Sequence, residues 1–167
     1  MTATEIRCIN GPLPLTLTDE ELYNYFIKEV FHKKLFFNNM PIKFFTTPVE
    51  DNKIQGYFHL TTKYKKNFGI KIRMKEKRAY FINYIVPMIN NSNTCSNCTV
   101  SNCTKIKVWN VPHKDTKRTK LLYYDDNYAY IIILEQKKNE YYVISSFLID
   151  EPGYLNKILS EYQKYKK

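Results

Sequence analysis

Ala129-Tyr130-Ile131-Ile132-Ile133-Leu134 decides the fold. Large apolar side chains stand at both parities of this run, so a strand built from it must be covered on both faces. Such a strand belongs at the centre of a sheet. Tyr128 to Glu135 is read as that central strand. Asp125-Asp126-Asn127 before it and Lys137-Lys138-Asn139 after it are polar connections of hairpin length. They join it to Arg118 to Tyr124 on one side and Tyr141 to Ile149 on the other, giving three strands of an antiparallel meander. A fourth β-like run, Lys105 to Asn110, precedes them.

Helical signals flank the sheet. Thr18-Asp19-Glu20-Glu21 has the form of a capping box, with Thr18 as N-cap, and Leu22, Phe26, Val30 and Phe31 follow at helical spacing. The spacing predicts a helix over 19–33. Ile42 to Thr47 and Gln55 to Thr61 read as strands separated by a polar turn at Glu50-Asp51-Asn52. From Glu76 to Asn90, Phe81, Ile82, Ile85, Val86 and Ile89 share one face, predicting a second helix bent near Pro87. Pro152, followed by a stripe of Leu155, Ile158, Leu159 and Tyr162, marks a C-terminal helix. The expected class is α+β, with N-terminal helices packed on a curved antiparallel sheet and a closing C-terminal helix. Residues 1–167 read as a single domain, helical over 1–40, with the core in 41–167 and a cysteine loop at 91–104.

Composition limits the setting. The chain has 167 residues, 44% hydrophobic and 16% aromatic, enough large side chains to build one sizeable core and too many for a disordered chain. A formal net charge of +10 favours polyanionic partners. There is no 18-residue apolar stretch, and Met1 to Arg7 lacks the plan of a signal peptide, so the expected location is the cytoplasm, away from membranes.

The candidate chemistry centres on Gly56-Tyr57-Phe58-His59-Leu60-Thr61-Thr62-Lys63, where a lone histidine precedes a cationic stretch. Eight Lys or Arg (Lys63, Lys65, Lys66, Lys71, Arg73, Lys75, Lys77, Arg78) stand between Lys63 and Arg78 against one acid, Glu76. An imidazole moves protons and cations hold phosphate, which together suit metal-free chemistry on a phosphodiester. Lys65, Lys66, Lys71 and Arg73, with Arg118 further on, form the expected RNA-attracting surface. Arg78 has a structural alternative, as partner of a carboxylate such as Asp125 or Glu135. Cys95, Cys98 and Cys103 fall within nine positions and would need Cys8 or His113 to complete a tetrahedral zinc site; such a zinc would staple a loop and take no part in catalysis. The alternative is a polar loop with free thiols.

The order of these pieces resembles the phage-associated branch of the barnase, EndoU, colicin and RelE-like nucleases, the PBECR group. The resemblance runs from about Phe44 to the C-terminus. It rests on the histidine run ending in Lys63, on Lys77-Arg78-Ala79-Tyr80-Phe81-Ile82-Asn83-Tyr84-Ile85-Val86-Pro87-Met88-Ile89, on Val108-Trp109-Asn110, on Arg118 to Tyr124 and on Tyr141 to Phe147. It implies a metal-independent endoribonuclease in which a 2′-hydroxyl attacks the adjacent phosphorus, leaving a 2′,3′-cyclic phosphate. His59 then matches the acid/base, Lys63 and Arg78 the charge-stabilising cations, and Ser145 a hydroxyl that bonds phosphate. The group's Thr-Ala-Tyr is Ser145-Ser146-Phe147 here, so one phenolic hydroxyl is missing. The resemblance also implies a toxin or mobile-element effector restrained by an acidic inhibitor or antitoxin.

A noncatalytic RNA- or protein-binding module on the same scaffold is the competing class, and a zinc-stapled DNA-binding protein a third. Among the fifteen tyrosines, Tyr57, Tyr64 and Tyr123 are the ones expected to face RNA, the rest being strand packing.

Overall fold

The computed structural model describes residues 7–67, 70–93 and 103–166, with the side chains of 64–67 and 70–74 left out. Its centre is the expected meander, enlarged to four strands: β5 (Lys107–His113), β6 (Thr116–Tyr124), β7 (Ala129–Lys137) and β8 (Glu140–Leu148). All three of its pairings are antiparallel, with Leu122 opposite Ile131 and Ile132 opposite Ser146. Two short strands, β1 (Phe36–Phe37) and β2 (Met40–Lys43), extend it to the order β1-β2-β8-β7-β6-β5. The apolar run of β7 is thus interior to the sheet, as its two-sided hydrophobicity requires.

Each face of that run has its own core. Tyr130, Ile132 and Leu134 join the larger cluster with Leu22, Phe26, Phe81 and Ile85, whereas Ala129 and Ile131 join Trp109, Leu122 and Ile158 on the other side. The larger cluster is capped by α1 (Asp19–Phe26), α2 (Gln55–Thr61) and α3 (Ile85–Asn90); α4 (Tyr154–Tyr165) covers the smaller one. The molecule is α+β, with a curled sheet and four α-helices among the described residues. None of those helices is long and apolar enough to cross a membrane.

Local capping is as expected in α1. The Thr18 Oγ1 accepts the Glu21 backbone N–H at 3.2 Å and donates to the Glu21 carboxylate at 3.1 Å. Beyond Phe26 the helix widens into a π turn over Ile27–Phe31. The predicted helix over 76–90 forms in two parts, a 3₁₀ segment at Lys77–Tyr84 and then α3, which carries Pro87.

Three expectations are corrected. The sheet is mixed, because β2 runs parallel to β8, with Ile42 opposite Tyr141. The N-terminal part is not helical to residue 40: Asn38 and Asn39, both at positive φ, form a two-residue turn that pairs Phe37 with Met40. Most consequential, Gln55–Thr61 is helix rather than strand. Tyr57, Leu60 and Thr61 are fully buried at spacing i, i+3, i+4, and the β-branched Thr61 and Thr62 turn their hydroxyls back onto the carbonyls of Tyr57 and Phe58 at 2.8 and 2.9 Å. The chain leaves α2 directly into an unanticipated hairpin, β3 (Thr62–Asn67) with β4 (Ile70–Lys75).

Gly56 sets how close α2 lies to the segment after β2. A Cβ there would stand 3.0 Å from both the Phe44 Cβ and the Phe45 carbonyl oxygen, and the Gly56 N–H bonds that same carbonyl at 2.6 Å. Gly56→Ala is expected to destabilise the fold by about 1–3 kcal/mol in urea unfolding, since backbone must shift to admit the methyl. A second expectation concerns alkaline pH. Burial, as the leading cause, raises the phenol pKa of Tyr57, Tyr84, Tyr123 and Tyr130 above the ordinary value of about 10. The unfolded chain releases those protons first, so their contribution is complete below about pH 10 and is lost as pH rises further. Absorbance at 295 nm should show these four rings silent until the protein unfolds, with stability falling steadily above pH 10.

Candidate functional site

The site grows from the way α2 is pinned. At its start the Ile54 N–H bonds the Tyr23 hydroxyl at 3.2 Å, and the Tyr57 hydroxyl donates to the Asp19 carboxylate at 2.6 Å. The buried Lys53 ammonium meets Glu20 at 2.6 Å and Asp19 at 3.7 Å. These contacts hold α2 against α1 and turn half-buried His59 toward the flank of β8.

That flank is an opening in the sheet. The register of β2 against β8 covers Tyr141 and Tyr142, and among the described residues no strand flanks β8 on this side from Val143 onward. At the same point the β7–β8 register shifts: Leu134 faces Val143, Ile133 faces Ser145, and Ile144 is the extra residue of a bulge. Gln55, Phe58, His59, Thr62, Arg78, Ile144 and Ser145 line a pocket of about 230 Å³ there.

Arg78 closes the exposed edge in place of a strand. Its Nη1 donates to the Ser146 carbonyl at 2.7 Å and reaches the Ser145 hydroxyl at 3.4 Å, Nη2 donates to the Thr62 carbonyl, and Nε pairs with Glu76 at 3.0 Å. The hairpin makes this possible by returning the chain to where it left α2, with the Glu76 N–H on the Thr61 carbonyl at 2.8 Å. The carboxylate partner is therefore Glu76; Asp125 accepts from the Tyr123 hydroxyl, and Glu135 pairs with Arg118. With its side chain only 12% exposed and both Nη1 and Nη2 hydrogen-bonded to protein acceptors, Arg78 is first a positioning residue that also lends positive charge to the pocket wall. Lys63, 62% exposed, meets Glu76 at 3.4 Å and is much more exposed than Arg78.

Three of the four expected catalytic residues, His59, Arg78 and Ser145, come together from α2, the 3₁₀ segment and β8. Lys63 stands one residue beyond Thr62. Gln55 and Thr62 join them at helical offsets i−4 and i+3 from His59, a signal hidden once the run was read as a strand. Lys65, Lys66, Lys71 and Arg73 lie on the β3–β4 hairpin, where Lys66 pairs with Lys71 in the register. Arg118, on β6 two strands from β8, is held by Glu135 of β7 and does not join the pocket. Tyr57 and Tyr123 are buried, contrary to the expectation that they face RNA. Phe147 packs with Tyr154 in the α4 core and does not line the pocket, so the missing phenol is not a gap in this site. Of the proposed zinc ligands, Cys95 and Cys98 lie outside the described residues, while Cys103 is half-buried against the larger core. Among the described residues no group of three or more His, Cys, Asp or Glu forms a metal cluster.

Comparison with family models, curated proteins and solved structures finds no match. The functional reading therefore stands on the residues of this pocket.

Arg78→Ala should destabilise the protein by about 2–4 kcal/mol in denaturant unfolding, because it strands the Ser146 and Thr62 carbonyls and leaves Glu76 with Lys63 in place of two cations. Arg78→Lys should recover less than half of that loss, since a single ammonium cannot span the same acceptors.

Proposed function

We propose that this chain is a metal-independent endoribonuclease of the barnase, EndoU, colicin and RelE-like type. The observation that carries the reading is the convergence of His59, Arg78 and Ser145, from three separate elements, on one pocket at an unpaired sheet edge. His59 serves as general acid/base for the 2′-hydroxyl or the leaving 5′-oxygen. Lys63 supplies a mobile positive charge for the phosphorane-like transition state, and Arg78 a fixed one that also holds the Ser145 hydroxyl toward the phosphate. The hairpin lysines and the +10 formal charge would gather RNA through its backbone. An acidic inhibitor or antitoxin would complement the same surface, and the cytoplasm is the setting in which RNA and such a partner meet.

The commitment of Arg78 to protein acceptors favours a second reading, a binding module without catalysis. The two separate on one experiment. Purified protein in EDTA should convert RNA to fragments ending in 2′,3′-cyclic phosphate, with His59→Ala lowering the rate about 10²-fold or more and leaving RNA binding intact. RNA bound equally by both proteins and cut by neither would remove the nuclease and leave the binder.

A further inference from the structure

Beside the pocket lies an aromatic pair that the proposed chemistry does not use. Phe45 and Tyr142 have ring centroids 4.9 Å apart and planes inclined at 31°, and Phe45 meets the His59 imidazole edge-on at 5.3 Å. Both rings are half-buried, so part of each remains at the surface. The exposed Lys137 lies over them, its Nζ 5.1 Å from the Phe45 centroid and 5.3 Å from that of Tyr142. The Tyr142 hydroxyl donates to Glu140 at 3.1 Å, which fixes the ring, and the pairing of Tyr142 with both Lys43 and Glu135 seats it where β8 is flanked on both sides.

Resting on the reading of the pocket as an RNA site, we propose that Phe45 and Tyr142 form a stacking platform for one unpaired base next to the phosphate held at His59. Three features argue for it. The pocket, at about 230 Å³, is smaller than the roughly 300–1,000 Å³ of sites that enclose a whole small molecule, so it takes a fragment of a longer ligand whose bases lie outside. The platform adjoins the imidazole itself, the position a neighbouring nucleotide would occupy. Finally, an exposed ammonium over part-exposed rings gives only a weak interaction, and a base can replace it while the lysine swings to a backbone phosphate. The substrate class is single-stranded RNA, because a base kept in a duplex cannot reach an aromatic face.

The test uses fluorescently labelled 2′-O-methyl oligomers, uncleavable by 2′-hydroxyl attack, with adenine at every position or with abasic residues throughout. Anisotropy should show the wild type binding the adenine oligomer about tenfold more tightly than the abasic one of equal charge. Phe45→Leu combined with Tyr142→Leu should erase that preference without changing abasic affinity. Lys137→Ala, at an exposed position with little bearing on folding, should keep the preference and reduce the salt slope by about one. Equal wild-type affinity for the two oligomers overturns the platform and needs no variant to fold. A preference that survives the double variant, or that vanishes in Lys137→Ala, overturns it as well. Base preference without RNA cleavage would refute the nuclease alone, and cleavage without base preference the platform alone.

Discussion

The structure turns on how the edge of β8 is satisfied once β2 has left it. A strand edge without a neighbour exposes carbonyls and N–H groups that must find partners or water. Here the guanidinium of Arg78 takes over from the departing strand, reaching the Ser146 carbonyl and, at the same time, the Thr62 carbonyl at the end of α2. One side chain thereby ties the sheet, the helix and the returning hairpin. Tyr130 reinforces the junction from within, its hydroxyl donating to the Ser146 Oγ at 2.6 Å in a fully buried pair. Because that junction is polar and partly open, it is also where a ligand can approach.

Much of this was legible from side-chain periodicity. The two-sided run of β7, the hairpin-length polar connections and the capping box at Thr18 each act within a few residues, and each led to the right element. Gln55–Thr61 was misread for a physical reason. Tyr57, Phe58 and Thr61 favour strands in isolation, and the helix depends on contacts that no local pattern reveals, namely the close approach at Gly56 and the grip of α1 on Lys53 and Tyr57. The parallel pairing of β2 with β8 was likewise hidden, since it joins residues about a hundred apart in sequence.

His59, Arg78 and Ser145 do meet, yet the helical setting of His59 alters what surrounds it. On a strand its neighbours at two-residue spacing would have been Tyr57 and Thr61, both of which are buried in the core. With His59 on α2, Gln55 stands one turn before it and Thr62, the first residue of β3, follows the helix end, and both share the pocket with it. The role of Arg78 could not be divided in advance between structure and chemistry, because residue type reports a cation without reporting how many of its donors the fold consumes.

That division bears on how a positive surface can act on a phosphodiester. A guanidinium locked to carbonyls contributes a charge whose position is fixed before any ligand arrives, and such preorganised charge stabilises a transition state without the cost of reorienting it. In the proposed reaction, a flexible ammonium such as that of Lys63 would instead gather the substrate and then follow it. Glu76 touches both, at 3.0 Å from Arg78 and 3.4 Å from Lys63. An incoming phosphate competes with this carboxylate for Lys63 far more easily than for the better buried Arg78. In the proposed site, the single acid of the basic stretch would hold Lys63 near Thr62 until a stronger anion drew it in, while leaving Arg78 in place.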